Sequence, residues 1–159
     1  MIYHLELSDE ALQAIGSVSA QWAVLECYLA RTTIALASRF GNPTSWRAEE
    51  TAFMQRRTAF HEALEWSNVP PSIQEQGIAI WYRMTEVEQR RHMIVHGMAG
   101  EFGGDPQQIH FSRAAPEKYW FSERLSIPQI FAIAEDIARV NGDLAKLFLD
   151  VWLSSDIAP

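Results

Sequence analysis

The chain has 159 residues, is 48% apolar and carries a net charge of −7, which allows one well-buried core and does not call for a second. That acidity excludes an extended nucleic-acid groove, whose affinity comes from many lysines and arginines releasing counterions from phosphates, so any RNA contact must be local. Of the 13 basic residues 11 are arginine, and the pairs Arg56-Arg57 and Arg90-Arg91 leave room for phosphate-sized sites.

The opening MIYHLELSDE lacks the basic and apolar regions of a secretory signal, and charges interrupt every apolar run short of membrane-spanning length. The expectation is a soluble, cytoplasmic, single domain over residues 1–159. Ser8 ahead of Asp9 and Glu10 reads as a helix start, and Leu12, Ile15, Val18, Trp22, Leu25, Leu29, Leu36 and Phe40 recur at helical spacing up to Gly41-Asn42-Pro43. The lone Cys27 falls inside this stretch, can form no internal disulfide, and is expected to pack. A second helix is predicted from about Ser45 to Trp66 with Phe53, Phe60 and Leu64 inward, ending before Pro70-Pro71, and a third from there to Gly97. Three glycines and a proline in 98–106 read as a loop, and the alternating stretches Gln107–Arg113 and Lys118–Leu125 around Ala114-Ala115-Pro116 read as a β-hairpin. Ser126 with Gln129 three positions on forms a capping box, after which Ile130, Ala134, Ile137, Leu144, Leu147, Phe148 and Val151 keep one helical phase. Asn141-Gly142 does not interrupt that phase and is expected as a kink or weak spot rather than a turn. The pattern predicts an all-α protein, an up-and-down four-helix bundle with a β-hairpin inserted between helices 3 and 4.

The end of the third helix carries the chemistry. Counted from Arg91 at 100° per residue, Met84, Val87, Ile94, Val95 and Met98 fall within about 60° of its direction, so this arginine points along an apolar stripe. A guanidinium cannot shed its charge at neutral pH, and a desolvated one needs a carboxylate, a phosphate or an interface beside it. His96 lies about 140° round from Arg91 and is followed at once by Gly97, which marks the helix end and keeps the histidine near solvent. On the first helix Glu26 borders the stripe of Val18, Leu25 and Leu29, and is predicted to contact Arg91, either as a structural pair or as the group that orients it. Spacing alone decides little. With 11 arginines and five histidines, about one arginine–histidine match of this kind is expected by chance, and Arg56 with His61 supplies another.

The segment Arg91-His92-Met93-Ile94-Val95-His96-Gly97 resembles the R-polar-x-x-x-H element of the HEPN superfamily, the higher eukaryotes and prokaryotes nucleotide-binding domains, which many bacterial members follow with glycine. Gly16–Leu29, GSVSAQWAVLECYL, is similar to the Trp- and Glu-bearing first helix of several bacterial families in that group. The residue after the arginine is commonly asparagine or aspartate there, and here it is His92. The resemblance implies a metal-independent endoribonuclease without a cofactor. It would act as a homodimer whose two motifs meet across the interface, in a toxin, defence or RNA-processing role. A small antitoxin or a nucleotidyltransferase is the kind of protein partner it admits. Arg91 and His96 would be catalytic, with His92, one turn before His96 and about 40° from it, as a second proton carrier or phosphate donor. Arg90 and Arg57 are candidate RNA-phosphate contacts, against the plainer reading of solvated or snorkelling side chains.

Two other classes compete. A non-catalytic interaction or nucleotide-binding module would account for six tryptophans and eight phenylalanines, more aromatic surface than a small bundle readily hides. A metal-binding bundle would use Glu88, His92 and His96, four apart on one helical face, but neither HExxH nor a Glu-x-x-His appears. The hairpin carries His110, Arg113 and Lys118 and could fold over the motif as a lid or RNA guide, or simply cover helix ends.

Overall fold

The computed structural model describes residues 7–41, 52–66, 68–101, 105, 107–114 and 120–154. Its elements follow in chain order as α1 (Asp9–Phe40), α2 (Phe53–Leu64), α3 (Pro71–His96), β1 (Met98–Glu101), β2 (Gln108–Ala114), β3 (Trp120–Ser126) and α4 (Ile127–Leu153). The fold is mostly α-helical, with four helices in the expected order and a small antiparallel sheet between α3 and α4.

Local chemistry explains the boundaries. Ser8 Oγ accepts the Ala11 amide at 3.2 Å and caps α1, where Asp9 and Glu10 in the first turn meet the positive end of the helix dipole. The capping box of α4 is reciprocal: the Ser126 amide donates to Gln129 Oε1 at 2.7 Å, and the Gln129 amide donates to Ser126 Oγ at 3.3 Å. α4 then runs unbroken through Asn141-Gly142, its stripe of Ile130, Ile137, Leu144, Leu147 and Val151 fully buried. The start predicted for the second helix, Ser45, lies outside the described residues, and α2 is observed from Phe53 to Leu64. Of the α1 stripe, Leu12 is exposed and Ala11 and Ala14 hold the inward positions instead. Cys27 is exposed and does not pack in the core, a correction of its expected place.

The hairpin strands lie within two residues of their predicted bounds. The sheet has a third strand, since β1 pairs Met98–Glu101 with Ile109–Ser112 of β2, in the order β1-β2-β3. Ile109 and Phe111 are fully buried on one face, and His110 and Ser112 alternate to the other. Lys118 and the centre of the hairpin turn lie outside the described residues.

The chain divides into two compact units: Met1–Trp22 with Thr85–Ile137, and Ala23–Met84 with Ala138–Pro159. The first holds the sheet, the C-terminal end of α3 and the N-terminal parts of α1 and α4. The second gathers segments of all four helices. Within it Glu26 meets Arg56, and the Asn68 side chain reaches the Phe40 carbonyl at 3.4 Å, so α2 runs beside α1 in the same direction. Leu64 lies against Gly77, and Arg57 and His61 lie against Trp81, so α3 returns antiparallel to α2. Thr32 Oγ1 donates to the Leu144 carbonyl at 3.5 Å, and Arg39 Nε to the Ser154 carbonyl at 3.1 Å, which aligns α4 with α1. Up-and-down alternation therefore holds along α2, α3 and α4 and does not extend to the pair α1–α2. A short connection would force alternation, but residues 41–52 can span roughly 40 Å when extended, against roughly 18 Å for the length of α2. No helix among the described residues is long and apolar enough to cross a membrane.

Candidate functional site at the end of helix 3

Met84, Val87 and Ile94 are buried and seat α3 along its apolar stripe. Arg91 shares their direction and is half-buried, with Nε out of solvent. Its Cζ stands 4.8 Å from the ring centre of Trp22, which is 4% exposed on α1. The guanidinium thus finds the face of an indole, an arrangement its planar, weakly hydrated cation suits better than an ammonium would. At the outer end of the fork, Arg91 Nη1 lies 3.1 Å from His96 Nε2. Arginine has only donors, so a hydrogen bond here requires His96 to accept through Nε2 with its own proton on Nδ1. The rings of His92 and His96 lie 4.8 Å apart at 58°, His92 half-buried and His96 exposed.

Gly97 fixes the backbone beneath this group. Its amide donates to the Met93 carbonyl at 3.0 Å, closing the last turn. A Cβ here would lie 2.4 Å from that same oxygen and 3.4 Å from Phe111 Cβ of β2, so close approach demands the glycine, and the backbone is not left-handed. β1 starts at the next residue, and the sheet packs directly under the helix end.

The remaining candidates have other surroundings. Arg90 pairs with Asp136 on the exposed side of the first unit, so a phosphate contact there would compete with a carboxylate. Arg90 also lines a cleft of about 240 Å³ with Glu123, Leu125, Gln129, Ala132 and Ile133. Glu26 and Arg57 belong to the second unit. There the Glu26 carboxylate lies 4.0 Å from Arg56, a pair on the partly exposed surface rather than a buried one. Arg57 Cζ stands 5.5 Å from the Trp81 ring centre, and the His61 ring lies 4.8 Å from the same indole and 3.7 Å from the Glu65 carboxylate. Arg56 and His61, which share the spacing of Arg91 and His96, go to different carboxylates. Among the described residues no three His, Cys, Asp or Glu side chains are placed to hold a metal ion, so Glu88, His92 and His96 do not converge as a first shell would.

The structure brings Arg91, His92 and His96 together at the helix end, and sequence reasoning did not single out Trp22 as a residue against the guanidinium. The signal was available: Trp22 lies one turn before Glu26 on the same inward stripe, and an aromatic face attracts a guanidinium. No family model, curated protein or solved structure matches the chain.

Proposed function

We propose that this protein is a metal-independent endoribonuclease of HEPN type, acting as a homodimer in a toxin, defence or RNA-processing role. The observation that carries the reading is the contact of Arg91 Nη1 with His96 Nε2 at 3.1 Å, on an exposed helix end with His92 beside it. A phosphodiester oxygen is a stronger acceptor for a guanidinium than a neutral imidazole. An incoming phosphate therefore takes Arg91, and His96 Nε2 is freed as a proton acceptor. The RNA 2′-hydroxyl gives its proton to that nitrogen as 2′-O attacks phosphorus. Arg91 faces the charge on the phosphorane oxygens, and the P–O5′ bond breaks as O5′ takes a proton from an imidazolium. The products are a 2′,3′-cyclic phosphate and a 5′-hydroxyl.

His92 is the donor within one chain, and the motif of a second copy is the donor in the homodimer. One helix end cannot easily bracket both sides of a phosphate, and this favours the two-chain arrangement. Leu149, Trp152 and Leu153, exposed near the end of α4 with Trp152 stacked on Phe148 at 6.2 Å, supply apolar surface for a protein partner such as an antitoxin or a nucleotidyltransferase. That surface equally suits a non-catalytic interaction module, so chemistry must discriminate. An RNA oligonucleotide with a single 2′-deoxy substitution at the cleaved position should resist cleavage there while its neighbours remain sensitive. Cleavage at the deoxy position would rule out attack by the 2′-hydroxyl.

A further inference from the structure

We infer that Trp22 is a positioning residue for the site, holding the Arg91 guanidinium so that it engages His96 Nε2. The inference rests on the ribonuclease reading for its catalytic consequence, but the geometry stands apart from it.

An arginine five residues before a histidine on a helix is not aimed at it by default. The two Cα positions are separated by about 7.5 Å along the axis and about 140° around it, and a free guanidinium on its long stem samples many rotamers towards water. Arg91 is confined at two points. Its Nε is buried, and its Cζ lies 4.8 Å from the Trp22 ring centre. Trp22 itself does not move freely, because it is 4% exposed and sits on the α1 stripe between Val18 and Leu25, both fully buried. A flat cation against a fixed indole keeps its plane, and with the inner nitrogen buried the outer fork is the part presented outward. From there Nη1 meets His96 Nε2 at 3.1 Å. Trp22 therefore acts through Arg91 and touches no reacting atom. The second unit contains a comparable pair, Arg57 over Trp81 at 5.5 Å, which serves as an internal control.

The tautomer of His96 reports the contact without any turnover. Free imidazole side chains prefer the proton on Nε2, whereas a guanidinium donating to Nε2 forces it onto Nδ1. Nitrogen-15 and carbon-13 spectra of the histidine rings in the full chain at neutral pH, with His96 assigned through His96→Ala, should show the Nδ1–H form in the unmodified protein. Trp22→Phe, which keeps an aromatic face, should retain it. Trp22→Leu should shift His96 towards Nε2–H, and Trp81→Leu should leave it unchanged. RNA cleavage by Trp22→Leu should lose on the order of tenfold in kcat with KM changed by less than about twofold, since the guanidinium is still present but no longer aimed.

If Trp22→Leu fails to fold, ring-fluorinated tryptophans introduced at position 22 alone keep the shape while weakening the face. The Nε2–H population should then rise with fluorination. A folded Trp22→Leu or a fluorinated series with unaltered His96 tautomer would overturn the inference, as would an Nε2–H tautomer in the unmodified protein. If the tautomer follows Trp22 while no variant or parent cleaves RNA, Trp22 keeps its positioning role and the ribonuclease reading fails alone.

Discussion

Replacing Gly97 by alanine is the sharpest perturbation of the site that leaves every chemical group in place. The added Cβ would sit 2.4 Å from the Met93 carbonyl oxygen, where real Cβ contacts essentially never fall below 3.0 Å, so the helix end must open. That oxygen accepts the Gly97 amide at 3.0 Å, and β2 closes the other side through Phe111, so the movement lengthens a hydrogen bond and presses on a buried ring. Overpacking of this kind costs about 1–3 kcal/mol, and a weakened hydrogen bond adds a fraction of its ~1 kcal/mol. A total of roughly 2–3 kcal/mol lowers the melting temperature of a chain this size by about 5–10 °C. The same displacement moves the neighbouring His96 by a sizeable part of an ångström, and misplacement of about 1 Å reduces catalysis on the order of a hundredfold. Gly142→Ala is the matched control. It lies on the exposed face of α4 with nothing within 4 Å of an added Cβ, so removing backbone freedom stabilises by about 0.5–1 kcal/mol. Thermal melts of the two variants should move in opposite directions. A Gly97→Ala protein melting within a degree of its parent would refute the close-approach argument.

Three further outcomes follow from packing and charge. Gly77→Ala places a Cβ 2.4 and 2.6 Å from the two Cδ atoms of buried Leu64, so it should destabilise by about 1 kcal/mol in the parent. In a Leu64→Ala background the clash is gone and the same change should stabilise by up to about 1 kcal/mol, a reversal that urea titrations would register. The coupling between Glu26→Gln and Arg56→Gln in a double-mutant cycle should be under about 1 kcal/mol, because the two groups lie 4.0 Å apart at the partly exposed surface; a coupling of about 3–5 kcal/mol would mark a buried pair instead. Arg90→Ala, which removes an exposed ion pair with Asp136, should likewise shift stability by less than about 1 kcal/mol, and a larger loss in chemical denaturation would count against that assignment.

Much of the fold was legible because local signals agreed with the global pattern. Ser8, the Ser126–Gln129 box, Pro71 and Gly97 each mark a boundary that the structure keeps, and the phase of Ile130 to Val151 carried α4 across Asn141-Gly142 correctly. β1 was not legible, since Met98–Glu101 is short, glycine-containing and defined by its pairing with Ile109–Ser112, which lies beyond any local window. The shared direction of α1 and α2 was hidden for a related reason. Periodicity places helices along a chain but does not say which way a connection carries them. At the site, the inward direction of Arg91 came directly from the 3.6-residue repeat. The stacking of its guanidinium on an indole did not: Trp22 lies one turn before Glu26 on α1, and charge pairing is easier to read from sequence than stacking. Arg57 and His61 share the indole of Trp81, a contact between α2 and α3 that neither helix announces alone.

The most direct test of the account is cleavage of a mixed-sequence RNA by the purified protein in excess EDTA, beside His96→Ala and Arg91→Ala prepared identically. The account predicts cleavage that survives the chelator, leaves 2′,3′-cyclic phosphate ends, and falls by at least about a hundredfold in folded His96→Ala and Arg91→Ala. Cleavage abolished by EDTA, or retained in a folded His96→Ala, would contradict it.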